Sequence, residues 1–93
     1  MEKAMVNAVS LLKSSEYRLK IVRAIGDSTL TPSEIANKVS IRLNHVSTFL
    51  KDLKGNKLVK CLNEENKKGR LYELTDLGKN AIDKFIEKQW NKV

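Results

Sequence analysis

Arg42, Asn44, Ser47 and Thr48 fall close together, spaced so that a helix would gather them on its polar side. The chemistry open to them is recognition through hydrogen bonds. Arginine presents a planar fork of donors that matches the major-groove edge of guanine, and asparagine pairs a donor with an acceptor as adenine requires. Serine and threonine discriminate less. Lys51 and Lys54 follow on the same run, and Lys67, Lys68 and Arg70 cluster in a second polar stretch. These charges suit phosphate, which fixes register without reading sequence. Thr31 and Ser33 stand at an apparent helix start, where hydroxyls and unsatisfied backbone N–H groups together can clamp a phosphate.

Residues that could make or break bonds are scarce. His45 is the single histidine and Cys61 the single cysteine. One cysteine closes no internal disulfide, and no spacing of Cys and His matches a zinc site. His45 reads as a surface or phosphate-contacting residue, and Cys61 as a small buried side chain on a strand. No Ser/His/Asp set, glycine-rich phosphate loop or pair of catalytic carboxylates is recognisable. The expectation is a protein that is not an enzyme and carries no metal or cofactor.

The elements that must hold these residues follow from local signals. Met1, Met5, Ala8 and Leu12 recur at helical spacing, as do Tyr17, Ile21, Val22, Ala24 and Ile25 after Ser14-Ser15. The two helices either run together or break at Lys13–Ser15, and Gly26-Asp27 ends the second. Thr31-Pro32-Ser33-Glu34 has the order of a capping box with proline in the first helical position. Ile35, Ala36 and Val39 make a short helix there. A second helix of about residues 42–54 buries Val46, Phe49, Leu50 and Leu53 and stops at Gly55-Asn56. Two helices joined by so short a turn form a helix-turn-helix. Leu58–Asn63 and Arg70–Leu74 then read as strands of a hairpin whose polar tip, residues 63–70, contains Gly69. Thr75-Asp76 caps a last helix with Leu77, Ala81, Ile82, Phe85, Ile86 and Trp90 as its apolar stripe.

The 93 residues suffice for a single domain spanning 1–93, and the core must be aliphatic because five residues are aromatic. The net charge of +7 favours an anionic partner. Residues 31–75 hold nine Lys/Arg against five Asp/Glu, so the excess gathers where the candidate contacts lie. The N-terminal charge-free stretch, Ala4–Leu12, is far short of the roughly 20 residues that span a bilayer. No cleavable leader is recognisable after it, and a cytoplasmic protein without membrane attachment is expected.

From Thr31 to Lys79 the chain resembles the DNA-binding region of small archaeal MarR- and ArsR-like transcription regulators. The marks are TPSEIA at the helix start, Val46-Ser47 followed by Leu50 and Leu53, Leu58-Val59, and YELTDLGK after the hairpin. The resemblance covers about residues 17–80. Members often carry glycine where Ser40 stands, a capping Ser or Asp where Arg42 stands, and a long polar residue at Thr48. The resemblance implies a mainly α fold with a small β-hairpin wing, a winged helix-turn-helix with additional N- and C-terminal helices. It implies double-stranded DNA as partner, the 42–54 helix in the major groove and the basic wing on the backbone or minor groove. Terminal helices 1–13 and 76–91 would then form a homodimer interface from Met1, Met5, Ala8, Leu12, Phe85, Ile86 and Trp90. The alternative is that these helices fold back on the monomer core. A competing function is a winged-helix module that docks another protein without specific DNA binding. Operator, regulated genes and any small-molecule effector are not legible.

Overall fold

A computed structural model describes the backbone of residues 3–90 and the side chains of residues 3–85. The elements run α1 (Lys3–Ser14), α2 (Glu16–Ile25), α3 (Pro32–Val39), α4 (Leu43–Gly55), β1 (Val59–Cys61), β2 (Tyr72–Leu74) and α5 (Asp76–Trp90). The choice between one long first helix and two resolves at Ser15. Its backbone is extended (φ −146°, ψ 116°), and its hydroxyl accepts the Arg18 N–H. That cap is worth about 1 kcal/mol and turns the chain sharply from α1 into α2.

α2 lies at the centre, packed against α1, α3, α4, β2 and α5. Ile21, Val22 and Ile25 of α2 meet a core completed by Ile35, Val46, Leu50, Leu53, Leu58, Val59 and Leu74. Fully burying such side chains contributes roughly 1.5–3 kcal/mol each. Among the described residues no polar or charged residue is buried, so the core carries no desolvated charge. A polar tie runs beside it. Arg18 meets Asp52 of α4 (Nη2–Oδ2 2.6 Å) and donates from Nη1 to Ser14 Oγ at 3.0 Å. It thereby joins the end of α1, the start of α2 and the far half of α4.

The outer helices differ from expectation. α1 packs along α5, and Ala8, Leu12 and Phe85, expected at a dimer interface, are buried in the chain's own core. The reason is their shared inward face: Ala8 and Leu12 stand one turn apart on α1 and flank the buried Val9. Met5 is half-buried against the same core. Met1 lies outside the described residues, as do the side chains of Ile86 and Trp90.

The strands are shorter than the apolar pattern suggests, three residues each, with Val59 opposite Leu74 and Cys61 opposite Tyr72. Leu30 adds an unforeseen antiparallel bridge of its own to β2, exchanging two backbone hydrogen bonds with Tyr72 (2.8 and 3.0 Å). It ties the loop before α3 to the hairpin. α4 also ends differently: Gly55 is still helical, and Lys57 takes the left-handed conformation (φ 66°). α5 starts where Thr75 Oγ1 accepts the Gly78 N–H and donates to the Lys57 carbonyl at 2.6 Å. Gly78 lies so close to the residue before β1 that an added Cβ would stand 2.2 Å from the Leu58 carbonyl oxygen. Helices α3 and α4, followed by the hairpin and a covering helix, make this a winged helix-turn-helix.

Candidate nucleic-acid interface

The start of α3 forms the expected capping box. Thr31 Oγ1 accepts the Glu34 N–H at 3.2 Å, and Glu34 Oε1 accepts the Thr31 N–H at 2.9 Å. These hydrogen bonds hold the Glu34 carboxyl below its usual range, so the box weakens only as acid protonates it. Pro32 has no N–H. Within the described residues that leaves the Ser33 N–H and hydroxyl and the Thr31 O–H open to an outside acceptor. The turn to α4 passes through Ser40 in the left-handed region (φ 56°), where glycine is the easier residue, and the Ile41 N–H returns to the Ala36 carbonyl. Arg42 is the N-cap of α4, extended and without a side-chain capping bond, which leaves its guanidinium outside the helix.

α4 buries Val46, Leu50 and Leu53 and presents two other strips of surface. Asn44 and Thr48 are exposed and one turn apart, and the Thr48 hydroxyl donates to the Asn44 carbonyl at 3.0 Å. That hydroxyl can therefore accept from a partner while its hydrogen stays on the helix. The second strip, Leu43, Ser47, Lys51 and Lys54, borders an open groove of about 710 Å³. Thr31, Pro32 and Ser33 form its α3 side, and Lys67, Lys68, Gly69 and Arg70 its wing side. Five basic residues line it and no acidic one does. The fold thus brings together Thr31, Ser33, Ser47, Lys51, Lys54, Lys67, Lys68 and Arg70. Arg42 borders a shallower depression with Ser33, Asn37, Ser40 and Leu43, around the corner of the α4 start.

The wing is held in shape by its own side chains. Asn63 Oδ1 accepts the Leu71 N–H at 2.7 Å, while Asn63 Nδ2 donates to the Gly69 carbonyl at 3.2 Å. Gly69 is left-handed (φ 65°), which its lack of a side chain permits. Arg70 Nε donates to the Asn66 carbonyl at 2.7 Å, so its guanidinium braces the tip as well as facing the groove. Lys54, expected to be free for phosphate, forms an ion pair with Glu64 on the first side of the wing. The pair joins α4 to the wing, and any anion reaching Lys54 must compete with a carboxylate. At the wing base Lys60 meets Glu73 at 3.2 Å, which keeps the Glu73 carboxyl below its usual range.

His45 is exposed on α4, and Cys61 is half-buried with Sγ 3.7 Å from Asn63 Oδ1. No cluster of three potential metal ligands occurs among the described residues, nor any helix long and apolar enough to cross a membrane. Sequence reasoning passed over Asn63, Glu64 and Leu43. Asn63 had a legible signal, a turn-favouring amide at the end of an apolar strand. The Lys54–Glu64 pair had none, since it depends on how the wing leans toward α4.

No protein-family model matches the chain, and no curated protein matches it. Solved structures do. TubR bound to 24 bp of tubC, from Bacillus thuringiensis serovar israelensis, superposes with a TM-score of 0.77 at 12% identity, covering 90% of this chain and 94% of that one. HlyU from Vibrio cholerae gives 0.70 at 27% identity over 95% and 97% of the two chains. The homodimeric winged helix-turn-helix DNA-binding domain of Mb0332 from Mycobacterium bovis, a possible ArsR-family regulator, gives 0.67 at 21% identity, covering 95% and 78%. These likenesses carry the fold: the chain has the winged helix-turn-helix architecture of these three proteins.

Proposed function

We propose that this winged helix-turn-helix chain is a double-stranded DNA-binding transcription regulator with a preferred site. The observation that carries the reading is the groove in which α3, α4 and the wing set five basic residues together, of which Lys54 alone is paired with an acid, Glu64. A groove of that sign suits one sugar-phosphate strand. Lys51, Lys67, Lys68 and Arg70 would neutralise it, Lys54 would join once freed from Glu64, and Thr31 and Ser33 would donate to it from the α3 start. With the strand so placed, the exposed side of α4 enters the major groove, where Arg42, Asn44, Ser47 and Thr48 meet base edges. TubR, similar in fold, is bound to a DNA segment, which supports the same use here.

A homodimer is part of the proposal, supported by the homodimeric Mb0332 domain. The residues for it differ from those first expected, because Ala8, Leu12 and Phe85 are occupied inside the protomer. Met5 and the exposed Val6 on α1 remain available, with Met1, Ile86 and Trp90 beyond the described side chains. Two protomers would present recognition helices about 34–36 Å apart, one turn of DNA. Of the large apolar side chains exposed among the described residues, Val6, Tyr17, Leu43 and Leu62, Leu43 alone belongs to the α4 face, which favours DNA over a protein partner there.

The roles of helix and wing are separable by experiment. Arg42→Ala and Asn44→Ala should each weaken the preferred site by about 1–3 kcal/mol relative to random duplex, if each makes a bidentate base contact. Competition binding on a selected site and on a scrambled one reads the difference. A uniform loss on both duplexes would remove these two residues from base reading.

A further inference from the structure

Leu43 is the first residue of α4, and 48% of it is exposed. It borders both hollows of the face, the basic groove and the depression beside Arg42. Polar Thr31, Ser33, Ser40, Arg42 and Ser47 share these hollows with apolar Pro32, Ala36, Ile41 and Leu50, yet about half of Leu43 stays uncovered. A leucine left in water at this place gains free energy when apolar atoms reach it. The lysines around the groove select a polyanion, and among the groups a duplex projects into its major groove the thymine C5-methyl is the apolar one. The start of a recognition helix is also where side chains meet base edges most closely.

Resting on the duplex-binding reading above, we infer that Leu43 is a specificity-determining residue that packs on a thymine methyl at one position of the preferred site. Its neighbours explain why such a contact matters. Ser47 hydrogen-bonds to any base, and the Thr48 hydroxyl is partly committed to the Asn44 carbonyl, so these two hydroxyls select little beside the contacts of Arg42 and Asn44. A methyl that fits against leucine adds a preference for thymine that those hydroxyls do not supply. Covering one methyl group corresponds to about fourfold in affinity.

The experiment uses the full chain and a duplex selected from a randomised pool. Each thymine in turn is replaced by deoxyuridine, which removes the methyl and keeps the hydrogen-bonding edge. At one thymine the unmodified protein should bind the deoxyuridine duplex about fourfold more weakly. Leu43→Ala should bind the two duplexes equally, and Leu43→Met, which keeps an apolar side chain, should retain most of the difference. Leu43→Ala sits at an exposed helical position, and its circular dichroism should match that of the parent. The inference is overturned if no thymine is methyl-sensitive, or if Leu43→Ala keeps the full sensitivity at that position. A protein that binds no duplex at all overturns the DNA reading itself, a result distinct from methyl-insensitive binding.

Discussion

Replacing Lys51, Lys67 and Lys68 together with alanine is expected to weaken duplex binding about a hundredfold at moderate salt while leaving the fold intact. All three line the groove and are exposed, and none forms an ion pair among those found in the described residues. Hydrogen bonds between charged groups are worth about 1.5–3 kcal/mol when shielded, and solvent screening reduces that to about 1 kcal/mol here. Three lost contacts then amount to about 3 kcal/mol, or roughly two orders of magnitude. The loss should be equal on preferred and scrambled duplexes, because phosphate contacts carry no sequence information. A control outside the groove is Lys20→Ala with Lys79→Ala, two exposed lysines on α2 and α5 whose partners are Glu16 and Asp27, compared per charge removed. That pair should change affinity by much less. Fluorescence anisotropy with labelled duplex measures both, and equal effects would show that charge acts through the whole surface rather than through the groove.

Gly78→Ala should destabilise the protein by about 3 kcal/mol or more, the upper range for overpacking a tight contact. The added Cβ would lie 2.2 Å from the Leu58 carbonyl oxygen and 3.2 Å from its carbon, both backbone atoms that cannot rotate aside. Nor can α5 slide away freely, since the Thr75 N–H and hydroxyl anchor its start to the same stretch of chain. For a domain of this size the melting temperature should fall by more than about 10 °C. Gly55→Ala is the control, because nothing lies within 4 Å of the Cβ it would gain. It should be neutral or stabilise by up to about 1 kcal/mol, as alanine does for glycine in a helix. Thermal melts of the two variants would contradict the packing account if they lost similar stability.

The same glycine shows what the sequence could and could not convey. That Thr75-Asp76 starts a helix was legible from side-chain chemistry alone, and so was the capping box at Thr31. The buried side of α4 was legible because its period is set by the helix itself. Contacts between elements far apart in the chain were not. The Leu30–Tyr72 bridge, the Arg18–Asp52 tie and the Lys54–Glu64 pair each depend on how finished elements lean together. Ala8, Leu12 and Phe85 illustrate the same gap: periodicity shows that a helix has an apolar face, and only packing shows whose surface covers it. For the site, the residue types that suit phosphate were evident, and their convergence on one groove required the fold. Leu43 escaped notice because helical spacing sets it near the buried side, whereas the helix start leaves it uncovered.

Titration of a labelled duplex with the full chain over a range of salt, about 50–200 mM, tests the central claim most directly. A dimer that neutralises roughly 6–10 phosphates should lose affinity with a slope of about −5 to −9 in the logarithm of the binding constant against that of salt. A slope near zero, or no duplex binding at the lowest salt, would contradict the reading of this groove as a seat for the DNA backbone.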